Sequence, residues 1–221
     1  MMTIHTERPC NAANYRKGRK QAVKYLVVHY VGATGGAENN AKYYGSTPGI
    51  NASAHYFVGH GPSPEIWASV PEGDTAWHVG AKKYVHPDCR NDNAIGVELC
   101  CHQDGSGKWY FDPETVDAAV ELCRDIVARY GIPRERVLRH YDVTGKVCPA
   151  PFVNDQGAWE SFKERVFVAQ VSDSTVDKPD GWAEGAWEWA KAKGILDGTR
   201  PHDAITRQEL AAVLNRLGVL G

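Results

Sequence analysis

KYLVVHYV, residues 24–31, is an apolar run of β-branched and aromatic side chains that ends at the glycine-rich GATGG. So short a run, rich in valine, reads as a buried strand, and the glycines as the loop leaving its end. Working outward, SAHYFVG (53–59) and EIWASVP (65–71) read as a hairpin turned by GHGPSP, and AIGVELCC (94–101) as a second buried strand. ENNAKYY (38–44), closed by Gly45, predicts a short helix. The clearest helix is DPETVDAAVELCRDIVARYG (112–131), with Asp112 to cap it, Pro113 in its first turn and Gly131 at its exit. Val116, Ala119, Val120, Cys123, Val127 and Tyr130 follow a 3.6-residue spacing and predict one core-facing stripe. RVLRHYDV (136–143) predicts a short strand or turn, and QGAWESFKERVFVA (156–169) a closing helix. Strands interleaved with helices predict an α/β domain with a covered sheet.

The 221 residues suffice for one full domain and something small. A formal net charge of −2 provides no bulk cationic field, so neither nucleic acid nor an anionic membrane is an expected partner. No apolar run approaches the roughly 18 residues of a membrane span, so no membrane insertion is expected. The six cysteines (Cys10, Cys89, Cys100, Cys101, Cys123, Cys148) form no C-x-x-C pair, and several fall inside apolar periodic segments. They read mostly as thiols, which favours synthesis in a reducing compartment. MMTIHTERPCNAANYRKGRK has no apolar core of a secretory signal, so cytoplasmic synthesis without a signal peptide is expected.

Residues 1–170 are therefore read as the main domain, the polar, breaker-rich stretch 171–180 as a linker, and 181–221 as a small helical segment. In that segment Thr206 and Glu209 make a T-x-x-E capping box before Leu210, Val213, Leu214 and Leu217. About 40 residues bury too little surface to be stable alone, so this piece is expected to pack on the main domain or on a second copy of itself.

The chemistry is concentrated in three side chains: His29, closing YLVVH, and His140 and Cys148 in RHYDVTGKVCP. Singly, a strand histidine reads as a satisfied core residue and a buried cysteine as an inert thiol. Together, two imidazoles and one thiolate are the set that Zn²⁺ takes when a fourth position stays open for water. His140 and Cys148 are too far apart for one helical face, but a loop holding Gly145 and Pro149 could fold both onto one ion. Glu98, in IGVEL, alternates with Val97 and Leu99, so it faces away from them. His55 reads as a structural hydrogen-bonding residue, Tyr30 as core, and His60 and His86 as loop residues without an assigned role.

VVHYVGAT, SAHYFVG, TAWHVGA, AIGVELC and RHYDVTGKVCP, in that order over roughly residues 24–150, resemble the zinc-dependent N-acetylmuramoyl-L-alanine amidases of type 2. That family shares its fold with the peptidoglycan recognition proteins, and the phage and prophage endolysins of Gram-positive hosts look most similar. The resemblance implies a central mixed β-sheet flanked by helices, one Zn²⁺ on His29, His140 and Cys148, and peptidoglycan as substrate. It implies Glu98 as general base, Lys146 as the cation that steadies the carbonyl oxygen, and His78 beside Trp77 in the substrate cleft. Where many relatives carry Tyr-His-Phe, this chain has Ala54, His55 and Tyr56, which shifts proton transfer towards Glu98. A phage lysin would wait in the cytoplasm and act on the wall after membrane permeabilisation. The alternative is a recognition module that binds peptidoglycan without cutting it; such members typically lose the metal cysteine, and Cys148 is present.

WAEGAWEWAKAKGILDGTRPHDAITRQELAAVLNRL resembles one S-layer homology repeat. The resemblance implies binding to a secondary cell-wall polymer; packing or homodimerisation is the alternative. Trp182, Trp187 and Trp189 are too closely spaced to share one helix face, so one is expected to stay exposed.

Overall fold

A computed structural model describes residues 3–168, 181, 183–195, 213–215 and 217. The chain divides into two units, residues 1–169 and 170–221. Ten strands occur in the first: β1 (Ile4–His5), β2 (Tyr15–Arg16), β3 (Tyr25–Tyr30), β4 (Tyr56–Val58), β5 (Ile66–Ala68), β6 (Thr75–Ala76), β7 (Ala94–Leu99), β8 (His102–Gln103), β9 (Trp109–Tyr110) and β10 (Val137–Arg139). Its helices are α1 (Ala37–Ser46), α2 (Pro113–Tyr130), α3 (His140–Thr144), α4 (Ala150–Val153) and α5 (Gln156–Phe167).

Six strands form one sheet in the order β1-β5-β4-β7-β3-β10. The β4–β5 hairpin is antiparallel and every other pairing is parallel, so the sheet is mixed, as expected. β3 lies between β7 and the edge strand β10, with both its faces covered: Leu26, Val27 and Val28 are fully buried. Parallel strands need covering on both sides, which explains the near-continuous apolar run.

Strand alternation divides the work of the two faces. Leu26 and Val28 of β3, with Ile95, Val97 and Leu99 of β7, pack against Ala119, Val120, Leu122, Cys123, Ile126 and Val127 of α2 and Trp159 and Phe162 of α5. Val27 faces the other way and joins Tyr25, Val79, Ala94 and Val143. His29 and Glu98 therefore project from that second face, away from the packed helices.

Several expectations are corrected in detail. Leu122 and Ile126 complete the buried face of α2, whereas Val116 and Tyr130 lie at its half-buried edges. Asp112 occupies the N-cap position but makes no side-chain cap; its carboxylate turns to Gly61 and His102 instead. RVLRHYDV, expected as a short strand or turn, is the strand β10 running directly into the helix α3. The Asp142 carboxylate explains that switch, because it accepts the Arg139 backbone N–H at 2.8 Å and pairs with the Arg139 guanidinium, capping α3 at its first turn. Gly145, in the left-handed region at φ 82°, ends the helix. Tyr30 is half-buried and meets Trp109 edge to face rather than entering the core. All six cysteines are free and buried.

In the second unit, α6 (Glu184–Ala192) carries Trp187, half-buried, and Trp189, which is 54% exposed. The expected linker 171–180, Trp182 and the Thr206–Glu209 capping box lie outside the described residues. Among those described, no helix is long and apolar enough to cross a membrane.

Candidate metal centre and active site

β3 and β10 run parallel, with Val28 beside Arg139, so the next residue of each chain, His29 and His140, emerges at the same level of the sheet. His140 opens α3, and the chain then doubles back past Gly145. Tyr141 N–H donates to the Cys148 carbonyl at 2.8 Å, and Cys148 N–H to the Lys146 carbonyl at 2.7 Å. That fold-back closes the eight-residue gap between His140 and Cys148. On the other side β7 places Glu98 directly beside His29.

The result is a buried cluster. His29 Nδ1 lies 3.1 Å from His140 Nδ1 and 3.7 Å from Cys148 Sγ, and the three residues are 1%, 7% and 3% exposed. Their donor atoms converge closely enough to hold one metal ion. Burial and neighbouring cationic groups hold His29 well below the usual imidazole range and His140 at about 4, so both present neutral lone pairs. Burial pushes the Cys148 thiol up to about 12. A divalent cation is what would reverse this, by stabilising the thiolate.

Behind the cluster stands a row of histidines. His29 Nε2 lies 3.0 Å from His78 Nδ1. With the His29 Nδ1 lone pair turned to the cluster, its proton resides on Nε2 and donates to His78, the outer-shell bond that fixes the orientation of a ligating imidazole. His78 is itself tied down, its backbone N–H donating to Asn91 Oδ1 at 3.0 Å. It is 8% exposed and sits behind His29 rather than in an open cleft. Half-buried Trp77 holds this segment to the stretch leading into β4, exchanging hydrogen bonds with Ser53 through its backbone N–H (2.9 Å) and carbonyl (3.0 Å). His55 accepts the Gly96 N–H on Nδ1 at 2.9 Å, a structural hydrogen bond.

Glu98 Oε1 lies 4.0 Å from His29 Nδ1, and Glu98 Oε2 is buried without a hydrogen-bond partner among the described residues. Burial pushes the carboxyl up to about 8, against the downward pull of the Lys146 ammonium. Lys146 is exposed on the loop between α3 and Cys148, and its charge also bears on His140 and Cys148. A carboxyl group that titrates near neutral pH, beside a candidate metal site of two neutral imidazoles and a thiol, is suited to general acid–base work on a polarised substrate.

Residues 19–151 match the N-acetylmuramoyl-L-alanine amidase family. The chain belongs to that family. Among curated amidases it is 36% identical to CwlL of Bacillus licheniformis over 174 residues, 74% of this chain and 46% of that protein. It is 34% identical to BlyA of Bacillus subtilis (strain 168) over 177 residues, again 74% of this chain and 46% of that protein. The chain thus spans less than half the length of these curated amidases. Among solved structures, a mutant endolysin from Bacillus subtilis is similar at 27% identity and a TM-score of 0.59, covering 75% of this chain and 99% of that one. The PlyG catalytic domain is similar at 26% identity and a TM-score of 0.60, covering 79% and 99%.

Sequence reading names His78 as a site residue, and the structure sets it against His29; Gly96 is the contributor that sequence reading gives no role. The alternation that set Glu98 on the His29 face also sets Gly96 there, two residues back, which was the available signal.

Proposed function

We propose that this chain is a zinc-dependent N-acetylmuramoyl-L-alanine amidase, cutting peptidoglycan between the lactyl group of N-acetylmuramic acid and the L-alanine of the stem peptide, as a phage or prophage endolysin of a Gram-positive host. The observation that carries this reading is the convergence of His29, His140 and Cys148 beside Glu98. Zinc–ligand bonds near 2.05 Å to nitrogen and 2.3 Å to sulfur set tetrahedral edges of about 3.3 Å between nitrogens and about 3.6 Å from nitrogen to sulfur. The 3.1 Å and 3.7 Å separations in this cluster suit that ion. Bound there, zinc would supply Lewis acidity, bringing the pKa of a water towards 7 and polarising the scissile carbonyl.

The remaining work falls to the chain's own residues. Glu98 accepts a proton from the attacking water on its carboxylate and delivers it to the nitrogen of the departing L-alanine. Lys146 steadies the negative charge that develops on the carbonyl oxygen. His78 holds the His29 ring in place, and Trp77 positions that segment at the edge of the site. The S-layer-like segment 181–221 would bind secondary wall polymer, and the enzyme would reach the wall from the cytoplasm once the host membrane is breached.

Gram-positive walls treated with the pure protein should lose turbidity and release new L-alanine amino termini, and a chelator should stop both. Glycan reducing ends without new amino termini would overturn the amidase reading, and wall binding without any release would favour a recognition module.

A further inference from the structure

β4 and β7 run parallel, with Val58 beside Leu99, so both strands leave the sheet at one edge. His60 follows two residues after β4 and His102 opens the short β8–β9 hairpin after β7. Asp112 comes to meet them from the start of α2. Their donor atoms all lie within 4.8 Å of one another, and all three side chains are half-buried. His102 Nε2 is 3.0 Å from Asp112 Oδ2, and the His60 and His102 rings stand 4.3 Å apart, centroid to centroid.

We propose that His60, His102 and Asp112 form a second metal site for a divalent transition ion of the Zn²⁺ class, separate from the His29 cluster. Two imidazoles and one carboxylate are borderline donors that suit such an ion and suit Ca²⁺ or Mg²⁺ poorly, since those take oxygen ligands. The His102–Asp112 separation is already close to the tetrahedral edge of about 3.3 Å expected between two light donors.

A plain surface ion pair accounts for this arrangement less well. A half-exposed His–Asp pair contributes roughly 0–1 kcal/mol, and it does not explain why the His60 ring, whose Nε2 meets the Thr34 carbonyl at 3.3 Å, lies against His102. Asp112 also forgoes the ordinary use of its position. At the N-cap of an 18-residue helix its carboxylate makes no bond to the helix amides, a contact commonly worth about 1 kcal/mol. It is instead aimed by the Gly61 N–H, at 2.9 Å to Oδ2, into the space between the two histidines. This is the outer-shell orientation that ligating carboxylates receive. Although burial alone would raise it, that N–H and the His102 contact hold the carboxyl below its ordinary range, ready as an anionic ligand.

An ion there would tie the β4–β5 turn, the β8–β9 hairpin and the start of α2 together at the sheet edge where His29 and Glu98 also emerge. The role is structural, firming the rim of the candidate active site.

The test loads metal-free protein with Zn²⁺, removes excess by gel filtration and counts bound metal. Wild-type protein should retain two equivalents, and Cys148→Ser, His102→Gln and Asp112→Asn one each. With Co²⁺, only the equivalent lost in Cys148→Ser should carry a thiolate charge-transfer band; the other should show ligand-field bands alone. Zn²⁺ should raise the thermal midpoint of Cys148→Ser and leave that of the Cys148→Ser/His102→Gln double variant unmoved, and His60→Gln serves should His102→Gln fold poorly. One equivalent in wild-type protein and none in Cys148→Ser would overturn the proposal and leave the amidase reading intact. So would a second equivalent that survives both His102→Gln and Asp112→Asn.

Discussion

Gly96 and His78 share a space that admits only one side chain: a Cβ on residue 96 would stand 2.6 Å from Cγ of the His78 ring. Because His78 is the hydrogen-bond partner of His29, the glycine is part of the candidate metal centre although it offers no ligand atom. Gly96→Ala should push the His78 ring away, loosen His29 and weaken metal affinity by about 10–100-fold, the usual cost of disturbing a ligand's outer-shell partner. Competition against a chromophoric chelator measures it. Unchanged affinity would show that His29 is oriented without His78.

Glu98 and Cys148 should separate chemistry from metal retention. Glu98→Gln preserves shape and removes the proton acceptor, so it should keep its metal and lose about 10²–10⁴-fold in kcat, the span of general acid–base catalysis. Cys148→Ser should lose both the ion of that site and the activity. A Glu98→Gln enzyme at near wild-type rate would remove Glu98 from the proton transfer.

Asp142 links the fold to the site through α3. Its carboxylate accepts the Arg139 backbone N–H and two guanidinium bonds, while Arg139 also reaches the Phe152 carbonyl and Gln156. Asp142→Ala leaves a largely buried guanidinium with fewer partners, so unfolding should become easier by about 3 kcal/mol, in the range for breaking a buried pair. Metal affinity should fall with it, because the first residue of that helix is His140. Urea denaturation checks the first part and metal competition the second; loss of stability with full metal affinity would uncouple the cap from the site.

The sheet strands, the hairpin and α2 were legible because each carries a periodicity set by the face it buries. The three converging ligands were legible as residue types, and the loop through Gly145 and Pro149 hinted that two of them could meet. What the sequence concealed was which partner each polar group would choose. Asp112 stands where a cap belongs, yet tertiary contacts with Gly61 and His102 win it. His140 follows a strand, yet Asp142 turns the backbone into a helix at that residue. His78 and Trp77 are adjacent in TAWHVGA, and only the three-dimensional pairing with Gly96 sends the histidine behind His29.

His55 gives a prediction in pH. It is fully buried between the Gly96 N–H and the Asp74 carbonyl, and burial, reinforced by the Arg19 guanidinium, lowers its pKa to about 3. In the unfolded chain the imidazole takes a proton near its ordinary pKa of about 6.5. Below that pH the unfolded state therefore binds one proton more than the folded state, and stability is lost as pH falls from about 6.5 towards 3. Linkage puts the slope from this one residue at about 1.4 kcal/mol per pH unit around pH 5. His29, His78 and His140 titrate in the same direction in metal-free protein, so the total slope should be steeper. His55→Gln, which cannot titrate, should flatten the dependence of unfolding free energy on pH by one proton between pH 6 and pH 4 (roughly, from the same linkage). Urea titrations of the chelator-treated pair across that range measure it, and parallel slopes would mean that His55 already carries its proton in the native fold.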